Sequence, residues 1–234
     1  MVYIIKKEWI DMSDEKKKDL PEKGAIVQRD YETYAIAPHI PGGICDPETL
    51  RKIADVAERY SAKALKLTSA QRIAIVGIAE ENIEAAWSDL GIPPGHAIGL
   101  CVRSVKFCPG TTFCKRGKQD SVKLGMEFDA RYDGVEMPSK FKIGVSGCTN
   151  CCGESWIKDL GFIGMPKGWK VVVGGCAGAI PRIADVLAEN LSDDEAIELA
   201  DKVINHYKTS DTKKRLGKYI EEIGIDEFKK NLGV

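Results

Sequence analysis

The sequence predicts an α+β fold in two parts behind a short N-terminal segment. The segment covers residues 1–24, a first unit covers 25–95, and a larger α/β unit with a helical C-terminus covers 96–234. Three observations carry this division. Along 25–90 the apolar residues switch between strand spacing and helical spacing in the order β-α-β-β-α. Gly91 to Gly95, with Pro93 and Pro94 between them, interrupts both periods and marks a boundary. Beyond residue 192 every apolar stripe has the helical period.

The elements follow in order. Residues 11–24 are charged and end at Pro21 and Gly24, which predicts a short exposed helix and a linker. Ala25 to Ile40 is β-prone, with a turn at Arg29-Asp30 and a stop at Pro41-Gly42-Gly43. Asp46 caps a helix that has Pro47 at its first position and ends near Tyr60. Strands at 64–67 and 73–78 and a helix at 80–90 complete a ferredoxin-like half. In the second unit, residues 100–107 lead into a cysteine pair, a helix covers 120–128, and a strand covers 140–145. Lys140 and Lys142 share a face of that strand, because side chains alternate. A strand at 169–173, a glycine turn at 174–178 and a helix from Ile180 follow. Ser192-Asp-Asp-Glu195 is a capping box opening a helix to about Tyr207. Two further helices are expected at 211–222 and 226–232.

Composition narrows the class. Hydrophobic residues make up 44% of the 234 and charged residues 29%, as in a globular protein with a sizeable core. The net charge of −1 argues against general nucleic-acid binding. Residues 1–10 meet Lys6, Lys7 and Glu8 too soon for a signal peptide or a membrane span. Eight cysteines without an export signal suggest a reducing cytoplasm, where thiols serve metals.

Four of those cysteines organise the second unit. Cys108 and Cys114 lie in F-C-P-G-T-T-F-C-K, and Cys148 and Cys152 in S-G-C-T-N-C-C-G-E-S. Soft thiolates around one point suit zinc or an iron–sulfur cluster. Structural zinc pairs are spaced C-x2-4-C, so the C-x5-C pair is wide for one small ion. A cubane is larger and takes ligands from longer loops, and Gly110, Gly147 and Gly153 let backbone approach it. Two other readings stay open: Cys148 with Cys151 as a redox dithiol, and thiols packed as small hydrophobes. Cys151 and Cys152 are neighbours, so one of the two ligates.

Arg103-Ser-Val-Lys-Phe-Cys-Pro-Gly-Thr-Thr-Phe-Cys114, the run Lys140-Phe-Lys142 ahead of Cys148-x3-Cys152, Leu67-Thr-Ser-Ala-Gln-Arg-Ile73 and Pro41-Gly42-Gly43 occur in one order. Together they resemble the sirohaem-dependent sulfite and nitrite reductases. The resemblance implies a [4Fe-4S] cluster on Cys108, Cys114, Cys148 and Cys152, with the Cys152 sulfur shared with the iron of sirohaem. It implies that Arg72, Arg103, Lys140 and Lys142 ring a sulfite or nitrite anion, as arginine forks and lysine charges suit an oxyanion. Arg72 follows Gln71, where some members place an arginine before the glutamine. Gln71, Thr111 and Asn150 are expected at the cofactor. Gly174, Gly175 and Gly178, with the dipole of the expected helix and Arg182, suit its acidic rim. The G-G-x-x-G spacing is not that of a nicotinamide site.

The implied activity is six-electron reduction of sulfite to sulfide, with nitrite to ammonia as the rival. Electrons come from an external carrier such as a ferredoxin, docking on Lys115, Arg116 and Lys118. A cluster-bearing electron-transfer subunit without sirohaem is the different class. Familiar members hold two repeats where this chain holds one, so a second copy or second subunit is a possible partner. His39 and Cys45 read as packing residues at a domain seam, and His96 and His206 carry no evident partner.

Overall fold

The computed structural model describes residues 16–234. Residues 11–15 of the expected N-terminal helix lie outside it. From 16 to 24 there is no α-helix, only a 3-10 turn at Pro21–Lys23 closed by Gly24 in the left-handed region. Proline at the turn's start and glycine at its end leave no room for a regular helix there.

The first sheet has four antiparallel strands in the order β1-β2-β4-β3: β1 (Ala25–Val27), β2 (Thr33–Ile36), β3 (Ala64–Leu67) and β4 (Ile73–Ala79). Asp30 makes the β1–β2 turn, accepting from the amides of Glu32 and Thr33. Helix α1 (Pro47–Arg59) is capped as its sequence requires, with the Asp46 carboxylate accepting from Thr49 N at 2.7 Å. Helix α2 (Ile83–Leu90) follows a 3-10 turn at Glu80–Asn82, so the expected helix over 80–90 begins irregularly. Tyr34, Ile36, Ile53, Ile75, Ile78 and Leu90 form a core between this sheet and its two helices.

The second sheet has five strands: β5 (Val102–Phe107), β6 (Phe141–Ser146), β7 (Leu160–Met165), β8 (Gly168–Val173) and β9 (Asp185–Leu191). They lie in sequence order, parallel from β5 to β7 and antiparallel from β7 to β9. One short helix, α3 (Gly110–Phe113), lies within the first cysteine run, and α4 (Ser121–Tyr132) follows it under the Asp120 cap. The C-terminus is α5 (Asp193–Lys208), α6 (Leu216–Ile223) and α7 (Ile225–Leu232). The Ser192–Glu195 capping box forms in both directions, as its sequence predicts.

Two expectations are corrected and one strand is added. Residues 180–191 are not a helix: a bridge between Cys176 and Arg182 turns the chain back, and β9 pairs with β8. Pro181 and the open edge of β8 outweigh the helical propensity of Leu187 to Glu189. The glycine turn therefore leads to no helix dipole. Residues 160–165, unassigned from sequence, form β7. The expected 211–222 helix begins only at Leu216, after a bend that leaves Arg215 at its N-cap.

Strand alternation sorts the second sheet into two faces. Phe141, Ile143, Val145, Phe162, Trp169 and Val171 face the large core shared with α4 to α7. Lys142, Gly144, Ser146 and Gly161 occupy the other register, and the functional residues gather there.

Candidate functional site

The second cysteine run lies on a landing strip of small residues. Ser146 Oγ accepts the amide of Gly153 at 3.0 Å and lies 2.8 Å from Ser155 Oγ. Ser155 in turn donates to the carbonyls of Gly144 and Phe162. A side chain at Gly144 would stand 2.9 Å from the Gly153 carbonyl oxygen, which is why the strand carries glycine there.

The two cysteine runs are laced to each other. Gly147 N–H donates to Cys108 Sγ at 3.1 Å, and the amides of Lys118 and Gln119 donate to the Gly147 carbonyl. An added Cβ at Gly147 would meet Gly110 Cα at 2.6 Å, so only glycine permits this contact. The eight cysteines are free thiols. Cys151 has φ +56° and packs with Trp156, Met165 and Val186 against the small cluster of Ile163, Val172 and Ala184, whereas Cys152 is exposed. Among the described residues the cysteines form no grouping with all ligand atoms within 4.8 Å. Four thiols on two pinned loops, one already receiving an amide, fit an iron–sulfur cluster.

Pro41-Gly42-Gly43 positions the first run. Gly42 has φ +56°, and a Cβ there would lie 2.1 Å from the Phe107 ring. Gly125 of α4 closes on the same ring from another side. Gln71, itself at φ +61°, reaches across from the β3–β4 turn: its Nε2 donates to the Phe107 carbonyl at 2.8 Å and its Oε1 accepts the Phe107 amide at 3.1 Å. Gln71 thus holds the residue before Cys108.

Beside these loops lies a cleft of about 190 Å³ lined by Arg72, Arg103, Lys106, Lys142, Lys158 and Arg215, with Glu154 as its carboxylate. Of the four cations the sequence singles out, three meet here. Arg72 is only 6% exposed, donates to the His96 carbonyl, and is pushed down from its ordinary pKa by burial. Arg103 donates to the Gly99 carbonyl at 3.2 Å, while its buried Nε has no hydrogen-bond partner. Lys142 has no ion-pair partner among the described residues, and its pKa is lowered by burial first, then by Lys158, Arg215, Arg103 and Lys140. Lys140 is exposed and does not line the cleft, although its field reaches Lys142.

Sequence reasoning missed Lys106, Glu154, Lys158 and Arg215. Lys106 shares the cleft with Arg103 because the β5–β6 register shifts between them, so three residues of β5 span two of β6. Glu154, at φ +59°, pairs with Lys106 and Lys158 at 2.7 Å each. Arg215 is forked onto the fully buried Asp159, which also accepts the Lys142 amide at 2.9 Å. Burial pushes the Asp159 carboxyl up while the Arg215 fork works against it. No sequence motif announces such a long-range pair.

Other expected residues fall elsewhere. Arg182 is engaged internally, by Asp185, by Glu221 and by the Gly174 carbonyl. Gly174 and Gly175 are buried under backbone, with an added Cβ at Gly175 meeting the Trp156 carbonyl at 2.4 Å, and Gly178 is exposed with nothing near it. Thr111 and Asn150 are exposed beside the cysteines of their own runs, as are Lys115, Arg116 and Lys118. His39 and His96 are not mere packing: they meet Asp129 and Asp133. His206 lies tilted against Tyr219 and edge-on to Phe228. Cys45 is half-buried against the first core.

The fold and site define a class: a mixed α+β protein with a thiol-lined cluster site next to a strongly cationic cleft. The nitrite and sulphite reductase 4Fe-4S domain family matches residues 98–234, and its ferredoxin-like half domain matches 26–91. The chain belongs to the nitrite and sulphite reductase family, whose members are oxidoreductases. It is 44% identical over 219 residues to the assimilatory-type sulfite reductase of Nitratidesulfovibrio vulgaris, covering 93% of this chain and 98% of that one. It is 38% identical to a Bacillus subtilis nitrite reductase [NAD(P)H], over 86% of this chain but 25% of that protein, so it spans about a quarter of such larger relatives. The crystal structure of dissimilatory sulfite reductase I shares the fold at a TM-score of 0.77 and 15% identity, over 86% of this chain and 69% of that one. Among the described residues no helix is long and apolar enough to cross a membrane.

Proposed function

We propose that this protein reduces sulfite to sulfide with six electrons from an external carrier such as a ferredoxin, in the cytoplasm. Cys108, Cys114, Cys148 and Cys152 would hold a [4Fe-4S] cluster, and the exposed Cys152 is the thiolate that would also serve a sirohaem. The coupled cofactor pair, when bound, supplies the electrons and an electron-rich iron for the oxyanion. The single observation that carries the reading is the cleft, where six cationic side chains stand against one carboxylate.

The chain's own residues supply charge, orientation and protons. The Arg103 and Arg72 guanidiniums set two permanent positive charges at the place the oxyanion would occupy. Lys142 is unpaired and gives up its proton more readily than an ordinary lysine, which suits a donor to an oxygen leaving as water. Glu154 and Asp159 fix Lys106, Lys158 and Arg215 in place, so the field is set before the anion arrives. Lys140 adds to that field from outside the cleft. Thr111 and Asn150 approach the cofactor from the cysteine loops. Of the glycine turn only the exposed Gly178 is open to a cofactor, while Gly174 and Gly175 pack beneath it, Arg182 braces their loop from within and Gln71 acts through Phe107. A second copy or second subunit completes the cofactor's surroundings.

Nitrite reduction to ammonia is the second reading, favoured by relatives named nitrite reductases at 38% and 36% identity. Anaerobic turnover with reduced viologen decides. The expected result is sulfide from sulfite, with a higher kcat/KM than for nitrite, and a loss of about 10²-fold in Lys142→Met. Cofactor-loaded protein that forms no sulfide would overturn the proposal.

A further inference from the structure

Lys158 is a lysine where lysines are rare. The residue is 8% exposed, and a buried ammonium is costly unless it is paired. Two features of the fold keep it there. Gly144 leaves space for its stem, since an added Cβ would lie 2.7 Å from Lys158 Cγ. Glu154 is held at φ +59°, a conformation unfavourable for a residue with a Cβ, and from there its carboxylate reaches Lys158 Nζ at 2.7 Å.

Ion pairing alone does not explain the arrangement. The same carboxylate meets Lys106 Nζ, also at 2.7 Å, so two ammoniums share one anion and positive charge is left over. The Glu154 side chain is 40% exposed, and a pair open to water contributes little to stability. The surplus charge belongs to the cleft, which Lys106, Lys142 and Lys158 all line.

The neighbour it acts on is Lys142. Lys142 and Gly144 are alternate residues of β6, so they share a face and lie about 6.6 Å apart along the strand. The Lys158 stem crosses Gly144, and its ammonium enters the cleft that Lys142 lines. Other charges face Lys142 from each element around it: Arg103, its register partner on β5; Arg215, at the N-cap of α6; and Lys140, on its own strand. Asp159 accepts the Lys142 amide, but both its oxygens are committed to Arg215. Arg72 lines the opposite wall. Among these cations Lys158 weighs most on Lys142, after burial itself. Like charges in one cleft favour the loss of a proton, and Glu154 decides from which. Lys158 has the carboxylate and keeps its proton; Lys142 has no ion-pair partner among the described residues.

We propose that Lys158, its ammonium placed by Glu154, is a positioning residue that primes Lys142 as a proton donor. This rests on the reading of Lys142 as the donor to an oxygen leaving as water. In that transfer the Lys142 N–H bond breaks, an O–H bond forms, the electron pair stays on nitrogen, and the neutral amine recovers a proton from water. Lys158 keeps its own proton throughout.

The test is trace labelling of holoenzyme with isotopic acetic anhydride, which modifies the unprotonated amine, read at Lys142 by mass spectrometry against added N-acetyl-lysine. At about pH 8, Lys158→Met should slow Lys142 labelling by about 3–10-fold, because the like charge is gone, while Lys158→Arg stays within about 2-fold of wild type. The alkaline limb of kcat for sulfite should move upward in Lys158→Met and stay in place in Lys158→Arg. Should Lys158→Met fail to fold, Glu154→Gln decides: it removes the counter-charge and should speed Lys142 labelling. Labelling needs no turnover, so a failure of the priming is read there, and a failure of sulfite reduction is read in the viologen assay. Unaltered Lys142 labelling in a folded variant, or an equal slowing in Lys158→Arg, would overturn the proposal.

Discussion

Gln71 offers the sharpest test of how the two units are joined. Its side-chain amide makes two hydrogen bonds with the backbone of Phe107, at 2.8 and 3.1 Å, and Phe107 is 1% exposed. Gln71→Ala removes two bonds worth about 0.5–1.5 kcal/mol each and leaves a buried amide and carbonyl, which cost about 1–3 kcal/mol apiece when unsatisfied. Water entering the vacated space recovers part of this, so a net loss of about 3 kcal/mol is expected. For a chain of this size that corresponds to a fall in Tm of about 6–12 °C. Gln71→Glu should fall at least as far, because it loses the donor and sets a carboxylate against the Phe107 carbonyl. Calorimetry on holoenzyme and on cofactor-free protein distinguishes a backbone clamp from a cofactor contact. A clamp lowers Tm in both forms. A loss confined to the holoenzyme, or a Tm within about 1 °C of wild type in both, would refute the reasoning.

Four further predictions follow from the same geometry. Gly144→Ala places a methyl 2.7 Å from Lys158 Cγ and 2.9 Å from the Gly153 carbonyl oxygen; it should destabilise by about 1–3 kcal/mol and lower iron content, and wild-type iron loading would count against the landing-strip role. Because burial and like charges lower the Lys142 pKa, the cleft should lose that charge at a lower pH than an ordinary lysine would. Lys142→Arg should then move the alkaline limb of activity upward, and an unmoved limb would assign it to another group. Between the lowered folded value and the unfolded value the unfolded chain binds more protons, so this residue's contribution to stability rises with pH there and is least favourable at neutral pH. Lys142→Met should therefore raise Tm at pH 7. Changing Lys115, Arg116 and Lys118 together to Glu should slow turnover driven by an acidic carrier protein at low salt while leaving viologen-driven turnover intact; equal carrier-driven rates would remove the docking surface.

Local grammar in the sequence was legible wherever the chemistry was local. The Asp46 cap and the Ser192–Glu195 box each act within a few residues, and each forms as read. The strands of β8 and β6 were visible as apolar runs, but β9 was not. Its sequence suits a helix, and only the open edge of β8 makes it a strand. The candidate site divides along the same line. Arg72, Arg103 and Lys142 were found because motifs surround them. Lys106 depends on a register shift, Arg215 on a carboxylate 56 residues away, and Glu154 on two lysines reached only after folding. Arg182 misled because a glycine turn and an arginine suggest an anion site, while here its guanidinium serves Asp185 and Glu221.

Four thiols on two pinned loops, opening beside a cationic cleft, ask for one quantity above all: iron, acid-labile sulfide and tetrapyrrole per chain in anaerobically purified protein, with the Mössbauer spectrum of the same sample. Five irons, four sulfides and one sirohaem, with the haem iron magnetically coupled to the cube and the coupling gone in Cys152→Ser, is the predicted outcome. A cube without tetrapyrrole when its biosynthesis is supplied, or two uncoupled iron centres, would contradict it.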